Sequence, residues 1–515
     1  MADWTVARLL AVSADYLAGK GSSSPRLDAE LLLAESLSVQ RIDLYVQHDR
    51  PLTSAEIDAY RELIVRRAKH EPVAYILGRA SFRYLTLEVG PDALIPRPET
   101  EELVDVVLAW LRTRPMLPSG ATESAPPAAL IADVGTGSGA IALSLAAETG
   151  LPVLGLDVSA AALALAERNR DALHLSELVE LRATDLLDGV PDRSLRLVVS
   201  NPPYVSSGEY ACLEPGVREF EPAVALLAGV DGLDAYRRLL PQAARALGPG
   251  GAVVLEVGDG QADPVVDLAL AAGLCRPAVT TDLSGKRRIV RAVRPGALVL
   301  PVDPPPSPGV ASPLRAALAA GAIVGLPTDT VYGLAAAWDS APGVRELYSA
   351  KVRGEQSPVA VVFASVAALR ESLPDLDAPS VRVLEALLPG PFTFVVATSV
   401  PRPPLVGTRD SLGVRVPDHP RLLALLDSLG TAVAATSANI SGAPAPASLL
   451  DVDPEVLAAC AAAFGDTPRE PAVRGIASTV VDLRPLGRGE TPTVLREGAV
   501  GAVEVLARIA AAVGA

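Results

Sequence analysis

Val198-Val199-Ser200-Asn201-Pro202-Pro203-Tyr204 joins a β-branched apolar run to two successive prolines. Neither proline donates to a sheet ladder and each fixes its own φ, so the pattern predicts a buried strand that stops at a rigid polar corner. That corner presents the Asn201 amide, the carbonyls of Ser200 to Pro203 and the Tyr204 ring. Such a set accepts hydrogen bonds from an NH2 group and lays a flat surface beside it, which suits a planar amide or an exocyclic amine. Alone, a Pro-Pro pair marks only a strand-ending turn. The sequence upstream gives it company.

Leu130-Ile131-Ala132-Asp133-Val134-Gly135-Thr136-Gly137-Ser138-Gly139-Ala140 reads as a strand, a glycine-rich turn and a helix start. The spacing is Asp-x-Gly-x-Gly-x-Gly, which lets the backbone approach a ligand without marking a pyrophosphate site. Eighteen residues beyond Gly139, the next predicted strand ends in Asp157, a carboxylate placed to take both hydroxyls of a ribose. A third strand ends near Thr184-Asp185-Leu186, where it would border an adenine ring. All four features fall at carboxyl ends of predicted parallel strands, where open α/β sheets bind ligands. The ordered set resembles an S-adenosylmethionine-dependent methyltransferase. The resemblance implies a Rossmann-like class I fold with S-adenosyl-L-methionine held by Asp133, Gly135, Thr136, Gly137, Ser138, Gly139, Asp157, Asp185, Leu186 and Asn201.

Asn-Pro-Pro-Tyr after such a turn is shared by enzymes that methylate adenine amines in DNA and by those that methylate glutamine side chains. A DNA enzyme needs a basic, aromatic target-recognition surface, and residues 1–294 show no such block. Three stretches favour glutamine: Pro-Asp-Ala-Leu-Ile-Pro-Arg-Pro-Glu-Thr-Glu-Glu at 91–102, Phe-Glu-Pro-Ala-Val-Ala-Leu-Leu-Ala-Gly-Val-Asp-Gly-Leu at 220–233, and residues 282–290. With the helical front, residues 1–294 resemble the peptide-chain-release-factor glutamine N5-methyltransferase family. There Asn201 and the Pro202-Pro203 backbone would hold the glutamine amide of a release factor's Gly-Gly-Gln loop, with Tyr204 packed on it. An amide nitrogen is a poor nucleophile, so the NH2 must be held in line with the sulfonium methyl while acceptors stabilise its increasingly acidic hydrogens. Carbonyls fixed by two prolines do so without a strong base.

At 515 residues the chain is too long for one core, and its 50% hydrophobic, 20% charged composition is that of globular material. A small helical domain is expected over 1–75, from apolar spacing at 4–17, 26–38 and 54–69, with Thr53 and Glu56 at capping-box spacing. The methyltransferase domain is expected over 76–294, with a strand or hairpin arm at 81–89 and a helix at 99–111. The Pro, Ser and Ala-rich residues 114–129 read as a mobile loop. No clean apolar run spans a bilayer and no signal pattern opens the chain, so no membrane partner and a cytoplasmic location are expected. Cys212, Cys275 and Cys460 lie far apart without metal-type spacing, and no metal ligands are assigned. The net charge of -15 argues against coating nucleic acid by bulk electrostatics.

Beyond the short link Arg294-Pro295-Gly296 the sequence reads as a second α/β protein, with a strand at 298–302 and a helix at 313–320. Gly-Ala-Ile-Val-Gly-Leu-Pro-Thr-Asp-Thr-Val-Tyr-Gly-Leu-Ala at 321–335 is a buried strand stopped by Pro327, with hydroxyls at Thr328 and Thr330. Lys351 and Arg353 lie two apart in a turn that closes on Ser357-Pro358. Further strand-end signatures follow around Ser411 and Arg415, Ala435 to Asn439, Ser478, and Arg496. Cations and hydroxyls without an acidic cage suit a polyphosphate.

Residues 297–515 resemble the Sua5/YciO/YrdC family of L-threonylcarbamoyladenylate synthases, which implies a YrdC-like twisted α/β domain. That family joins L-threonine, bicarbonate and ATP, with Mg2+, into threonylcarbamoyl-AMP for the tRNA threonylcarbamoyl-transfer machinery. Carried over, Thr330 and Arg415 would hold threonine with Ser478 nearby, and Lys351, Arg353, Ser357, Ser411, Ala435, Ser437, Asn439 and Arg496 would line the nucleotide side. The chain departs from the family pattern at Ser357 and Ala445, and His419 reads as structural. The expectation is a bifunctional translation enzyme. The competing expectations are a non-catalytic tRNA- or nucleotide-binding carboxyl half and an adenine-N6 methyltransferase in the amino half.

Overall fold

The computed structural model describes residues 4–114, 131–302, 306–351, 358–440, 443–465 and 475–514. Residues 115–129 of the expected mobile loop, together with Arg353 and Ser357, lie outside the described residues.

The front of the chain is helical: Val6–Gly19, Pro25–Ser36, Arg41–Val46, Ser54–Arg67 and Val73–Leu77. Thr53 and Glu56 form the expected capping box. Leu9, Leu10 and Leu17 bury against Leu32, Leu33 and Tyr60, and the Tyr60 hydroxyl donates to the Ala29 carbonyl at 3.1 Å. Residues 81–89 lie in a hairpin of Arg79–Phe82 and Leu85–Glu88, and the helix Pro98–Thr113 follows.

A seven-stranded sheet comes next, in the spatial order Val179–Ala183, Val153–Asp157, Ile131–Val134, Leu195–Ser200, Leu247–Glu256, Arg287–Val293, Cys275–Thr281. The first five strands are parallel, and Arg287–Val293 runs antiparallel to both of its neighbours, Leu247–Glu256 and Cys275–Thr281. Period-two alternation splits its core. Leu197 and Val199 pack with Leu103 and Val107 on one face, while Val198 packs with Tyr236, Leu239 and Leu240 on the other. The sheet order reverses beside Ile131–Val134, and the two strands there that carry the glycine turn and the Asn-Pro-Pro-Tyr corner are direct neighbours, Val134 opposite Ser200.

The carboxyl half forms a ten-stranded mixed sheet, in the order Val299–Pro301, Cys460–Gly465, Ile323–Leu326, Gly333–Ala337, Val433–Ser437, Ala360–Val362, Ser411–Arg415, Phe392–Ala397, Thr479–Asp482, Thr493–Arg496. Helices Pro308–Ala319 and Pro420–Leu429 cover one face, and Ala341–Ala350, Ala378–Leu387 and Ala502–Gly514 the other. The first of these helices starts at Pro308, not at the expected Pro313. Pro308 occupies the first turn, where its missing N–H costs nothing, and Pro313 is carried inside the helix.

The two halves are not beads on a string. Gly296 N–H donates to the Pro454 carbonyl at 2.8 Å, and Arg276 pairs with Glu346 at 3.0 Å. Arg114, only 6% exposed, donates to the Ala459 carbonyl, and Ala458 is part of the hydrophobic core beneath the seven-stranded sheet. Gly250 lies at φ +70°, and a Cβ there would come within 3.3 Å of the Gly296 carbonyl and the Ala297 Cα. The join therefore passes through a packed interface.

Candidate functional site

A cleft of about 360 Å³ opens at the carboxyl ends of the parallel strands. Its floor is the turn after Ile131–Val134. Gly135, Gly137 and Gly139 adopt φ of +73°, +56° and +85°, a left-handed path that Cβ-bearing residues resist. Asp157 ties this turn to the next strand, accepting Gly137 N–H at 2.9 Å through Oδ2 and Ser159 N–H at 2.9 Å through Oδ1. Each oxygen keeps a lone pair for a ligand hydroxyl. Thr136, Ser138, Asp185 and Leu186 also line the cleft, with Asp185 paired to Arg238.

Asp133 stands elsewhere. It is fully buried behind the turn, accepting the Thr136 hydroxyl at 2.7 Å and Ala142 N–H at 3.1 Å, and burial pushes its carboxyl up to about 7. It shapes the turn from behind and is absent from the cleft wall, because a strand residue two before the turn points into the sheet's cover.

Asn201 and Pro203 face the same cleft. Pro202 is buried, Tyr204 is half-buried on the Tyr236 side of the sheet, and burial pushes the Tyr204 phenol up to about 12. Gln261 Nε2 holds the Tyr204 carbonyl at 2.9 Å. Behind Asn201 lies a chain that the sequence reading did not single out. Asn201 Nδ2 donates to Thr100 Oγ1 at 3.0 Å, and the Thr100 hydroxyl donates to Glu256 Oε2 at 2.7 Å. The signal available was a lone acid closing the apolar strand run Val-Val-Leu-Glu256. Arg97, also on the cleft, pairs with the buried Glu221, whose other oxygen accepts Ile95 N–H at 3.2 Å.

In the carboxyl half the expected residues gather in three groups. Arg415 Nη2 donates to Thr330 Oγ1 at 3.0 Å and to Asp329 Oδ1 at 2.9 Å. Lys351 Nζ donates to Thr436, Ser437 and Asn439 at 3.1, 3.3 and 3.4 Å. Arg496 Nη2 donates to the Ser478 carbonyl at 3.0 Å, and the Ser478 hydroxyl meets Thr393 Oγ1 at 2.8 Å. The first two groups are joined by Ala438 N–H donating to the Tyr332 carbonyl at 2.9 Å. The first and third approach each other, since Arg496 adds to burial in lowering the Arg415 guanidinium while Asp329 pulls it back up. Burial also lowers the Lys351 ammonium. Ala435 lies in the same strand as Ser437, paired with Ala335 and Ala360.

Ser411 is set apart from Arg415. The two close opposite ends of one strand, about 13 Å apart at the usual rise of about 3.3 Å per residue, and the Ser411 hydroxyl is engaged by Thr408 at 2.7 Å. His419 accepts Leu422 N–H at 3.0 Å and caps the helix Pro420–Leu429, a structural role. Among the described residues no cluster of three metal-ligating side chains occurs, and no helix is long and apolar enough to cross a membrane.

The parallel sheet with its glycine turn and terminal cleft defines the amino half as a class I methyltransferase. Family models match residues 8–78 (PrmC N-terminal domain), 122–215 (methyltransferase small domain) and 316–498 (Sua5/YciO/YrdC, described as telomere recombination). A release factor glutamine methyltransferase of Geobacter sulfurreducens is 40% identical over 290 residues, covering 56% of this chain and 96% of the relative. Another, from Rhodopirellula baltica, is 42% identical over 258 residues, covering 49% and 84%. The chain belongs to the release factor glutamine methyltransferase family, whose class uses S-adenosylmethionine, and it continues into a Sua5/YciO/YrdC domain. A solved structure of P. abyssi Sua5 complexed with L-threonine is 28% identical, with a TM-score of 0.34, over 42% of this chain and 60% of that one. The chain thus spans about three fifths of that protein's length.

Proposed function

We propose that this chain is a bifunctional enzyme of translation, working in the cytoplasm. Its amino half methylates N5 of the glutamine in the Gly-Gly-Gln loop of peptide chain release factors. Its carboxyl half makes L-threonylcarbamoyladenylate for the tRNA threonylcarbamoyl-transfer machinery. The observation that carries the first activity is the shared cleft: Asn201 and Pro203 face the ligand-side turn of Gly135 to Gly139 and the Asp157 carboxylate.

S-adenosylmethionine supplies an electrophilic methyl group. The residues fit it: the glycine turn admits close backbone approach, Asp157 retains acceptor capacity for ribose hydroxyls, and Leu186 offers an apolar edge to a purine. Asn201 Oδ1 and the carbonyls at the proline corner accept the glutamine NH2 hydrogens and hold its nitrogen lone pair toward the methyl. As the N–C bond forms, one N–H becomes acidic, and these acceptors carry its developing charge until the proton passes to solvent. Tyr204, kept neutral by burial, provides packing rather than a base.

In the carboxyl half, Arg415 and Thr330 would bind threonine's carboxylate and hydroxyl. Lys351, Ser437, Asn439 and Arg496 would meet the triphosphate, and Arg353 and Ser357 are assigned to the same side. The threonine carbamate oxygen attacks the α-phosphorus, the bond to the β-phosphate oxygen breaks, and pyrophosphate leaves against these cations. Mg2+ would arrive as the ATP complex, since Asp329 is already committed to Arg415.

The test uses the intact chain with labelled methyl donor and, separately, with ATP, threonine and bicarbonate. Transfer to release factor but not to DNA, and formation of threonylcarbamoyl-AMP with pyrophosphate, are expected. Transfer to DNA adenine would overturn the first assignment. Absence of adenylate from a well-folded chain would make the carboxyl half a binding module.

A further inference from the structure

We propose that Thr100 and Glu256 are positioning residues that set which end of the Asn201 amide faces the substrate, and that a proton on Glu256 reverses that setting. The inference rests on the glutamine-methylating reading of the cleft.

An asparagine side chain is nearly symmetric in shape but opposite in polarity at its two ends. To hold a substrate NH2, Asn201 must turn Oδ1 outward and Nδ2 inward. Nothing in the Asn-Pro-Pro-Tyr corner enforces this. The enforcement comes from behind, through the chain Asn201 Nδ2 to Thr100 Oγ1 at 3.0 Å and Thr100 Oγ1 to Glu256 Oε2 at 2.7 Å. A carboxylate only accepts, so the single Thr100 hydrogen is drawn to Glu256. Its hydroxyl oxygen is then left as an acceptor, which can be met only by the NH2 end of Asn201. Among the described residues Asn201 Oδ1 has no protein partner and is free for the cleft.

Thr100 and Glu256 are 4% and 2% exposed, so water cannot easily rescue a wrong orientation. Glu256 is surrounded as follows. Tyr236 donates its hydroxyl to the Glu256 backbone carbonyl at 2.8 Å, and Tyr204 lies beside it. Arg97 and Arg288 act on it from opposite elements, and Glu99 opposes them. Both arginines are already partnered, Arg97 by Glu221 and Arg288 by Asp282 at 3.4 Å. Burial consequently wins over these cations and pushes the Glu256 carboxyl up to about 7. Once protonated, Glu256 can donate to Thr100 Oγ1. The Thr100 hydrogen is then released toward Asn201, whose better partner becomes Oδ1. The amide turns, its NH2 end faces the substrate NH2, and two donors confront each other. Methyl transfer should therefore lose an acid limb near neutrality.

The experiment measures kcat and KM for release-factor methylation by the full chain from pH 5.5 to 9, with S-adenosylmethionine affinity and thermal stability measured alongside. The parent should show kcat falling about tenfold per pH unit below about 7. Thr100→Val, which keeps shape but breaks the chain, should lower kcat by about 10- to 100-fold and remove the acid limb, leaving S-adenosylmethionine affinity unchanged. Glu256→Ala should behave likewise. Glu256→Gln, the neutral isostere of the protonated acid, can donate an N–H to Thr100 Oγ1 and should hold kcat about 10- to 100-fold below the parent's plateau above pH 8, without the acid limb. A Glu256→Gln enzyme with the parent's plateau kcat overturns the reversal. A Thr100→Val enzyme with the parent's kcat and pH profile overturns the relay while leaving the methyltransferase reading intact. Parallel loss of cofactor affinity and thermal stability in every variant shows a purely structural prop and also overturns it. A parent chain that transfers no methyl to release factor overturns the underlying reading.

Discussion

Arg415 Nη2 stands 2.9 Å from Asp329 Oδ1, and both side chains are largely withdrawn from solvent. Asp329 is itself gripped by Asp418 N–H at 3.0 Å, so the carboxylate is a fixed post to which the guanidinium is tied. Burial alone disfavours both charges, and each is tolerated because the other is present. The buried Arg415 Nε–H has no partner among the described residues, so the fork holds donor capacity in reserve for an anionic substrate.

Removing one partner of this pair should cost more than removing both. Arg415→Ala leaves an uncompensated buried carboxylate and should destabilise by about 3–5 kcal/mol. The double change Asp329→Ala with Arg415→Ala should recover part of that loss, as read by calorimetry. Asp329→Ala alone should raise the KM for threonine at least about tenfold, because Arg415 is no longer aimed. An unchanged KM would show that Asp329 only balances charge.

Lys351 holds three oxygens of the Thr436 to Asn439 run with its ammonium group. Lys351→Met keeps the stem and removes the charge. It should lower adenylate formation at least about 100-fold while threonine binding, measured by calorimetric titration, stays within about twofold. Equal loss of threonine binding would place Lys351 on the amino-acid side.

The legible parts of the chain were those where one local rule had no competitor. Two prolines after Val198-Val199-Ser200 end a strand in any fold, and three glycines alternating from Gly135 to Gly139 force a turn. Both features mark the carboxyl ends of neighbouring strands, where the cleft opens. What could not be read were pairings between distant residues. Thr100 meets Glu256 across 156 positions and Arg415 meets Asp329 across 86, separations that no periodicity encodes. Ser411 and Arg415, given to the nucleotide and the threonine sides, close opposite ends of one strand, whose ends diverge by about 3.3 Å per residue. The helix start at Pro308 was missed because Pro313 is equally at home at a first turn.

Asp157 should be the cofactor affinity determinant of the amino half. Its carboxylate both pins Gly137 and faces the cleft, so Asp157→Ala loses ligand contacts and loosens the turn together. S-adenosylmethionine affinity should fall about 10- to 100-fold, equivalent to about 1.4–2.8 kcal/mol, in equilibrium dialysis. Affinity within threefold of the parent would move the ribose contact elsewhere.

Glu256 also predicts a pH dependence of stability. Its carboxyl titrates near 4.5 when unfolded and at about 7 when folded, so the folded chain binds the extra proton between these values. The contribution is fully present below about pH 4.5 and is lost as pH rises through about 7. A shift of that size corresponds to roughly 3 kcal/mol. The stability of the parent minus that of Glu256→Gln should therefore fall across this window and stay flat above it, as followed by thermal unfolding. A flat difference from pH 4.5 to 8 would show that Glu256 stays ionised in the fold.

The interface between the halves should couple their unfolding. Arg114 is buried there, and loss of solvent pulls its guanidinium down to about 10 while it donates to the Ala459 carbonyl. Ala458 packs under the methyltransferase sheet, and Gly296 is bonded to Pro454, so unfolding either half exposes core of the other. The intact chain should accordingly unfold in one calorimetric transition, raised as a whole by S-adenosylmethionine through linkage. Arg114→Ala deletes a charge-assisted bond worth about 1.5–3 kcal/mol and leaves the Ala459 carbonyl unmet. In that variant the transition should split, with S-adenosylmethionine raising only the part that belongs to the seven-stranded sheet. Two independent transitions already present in the parent would show that the contact is too weak to couple the halves.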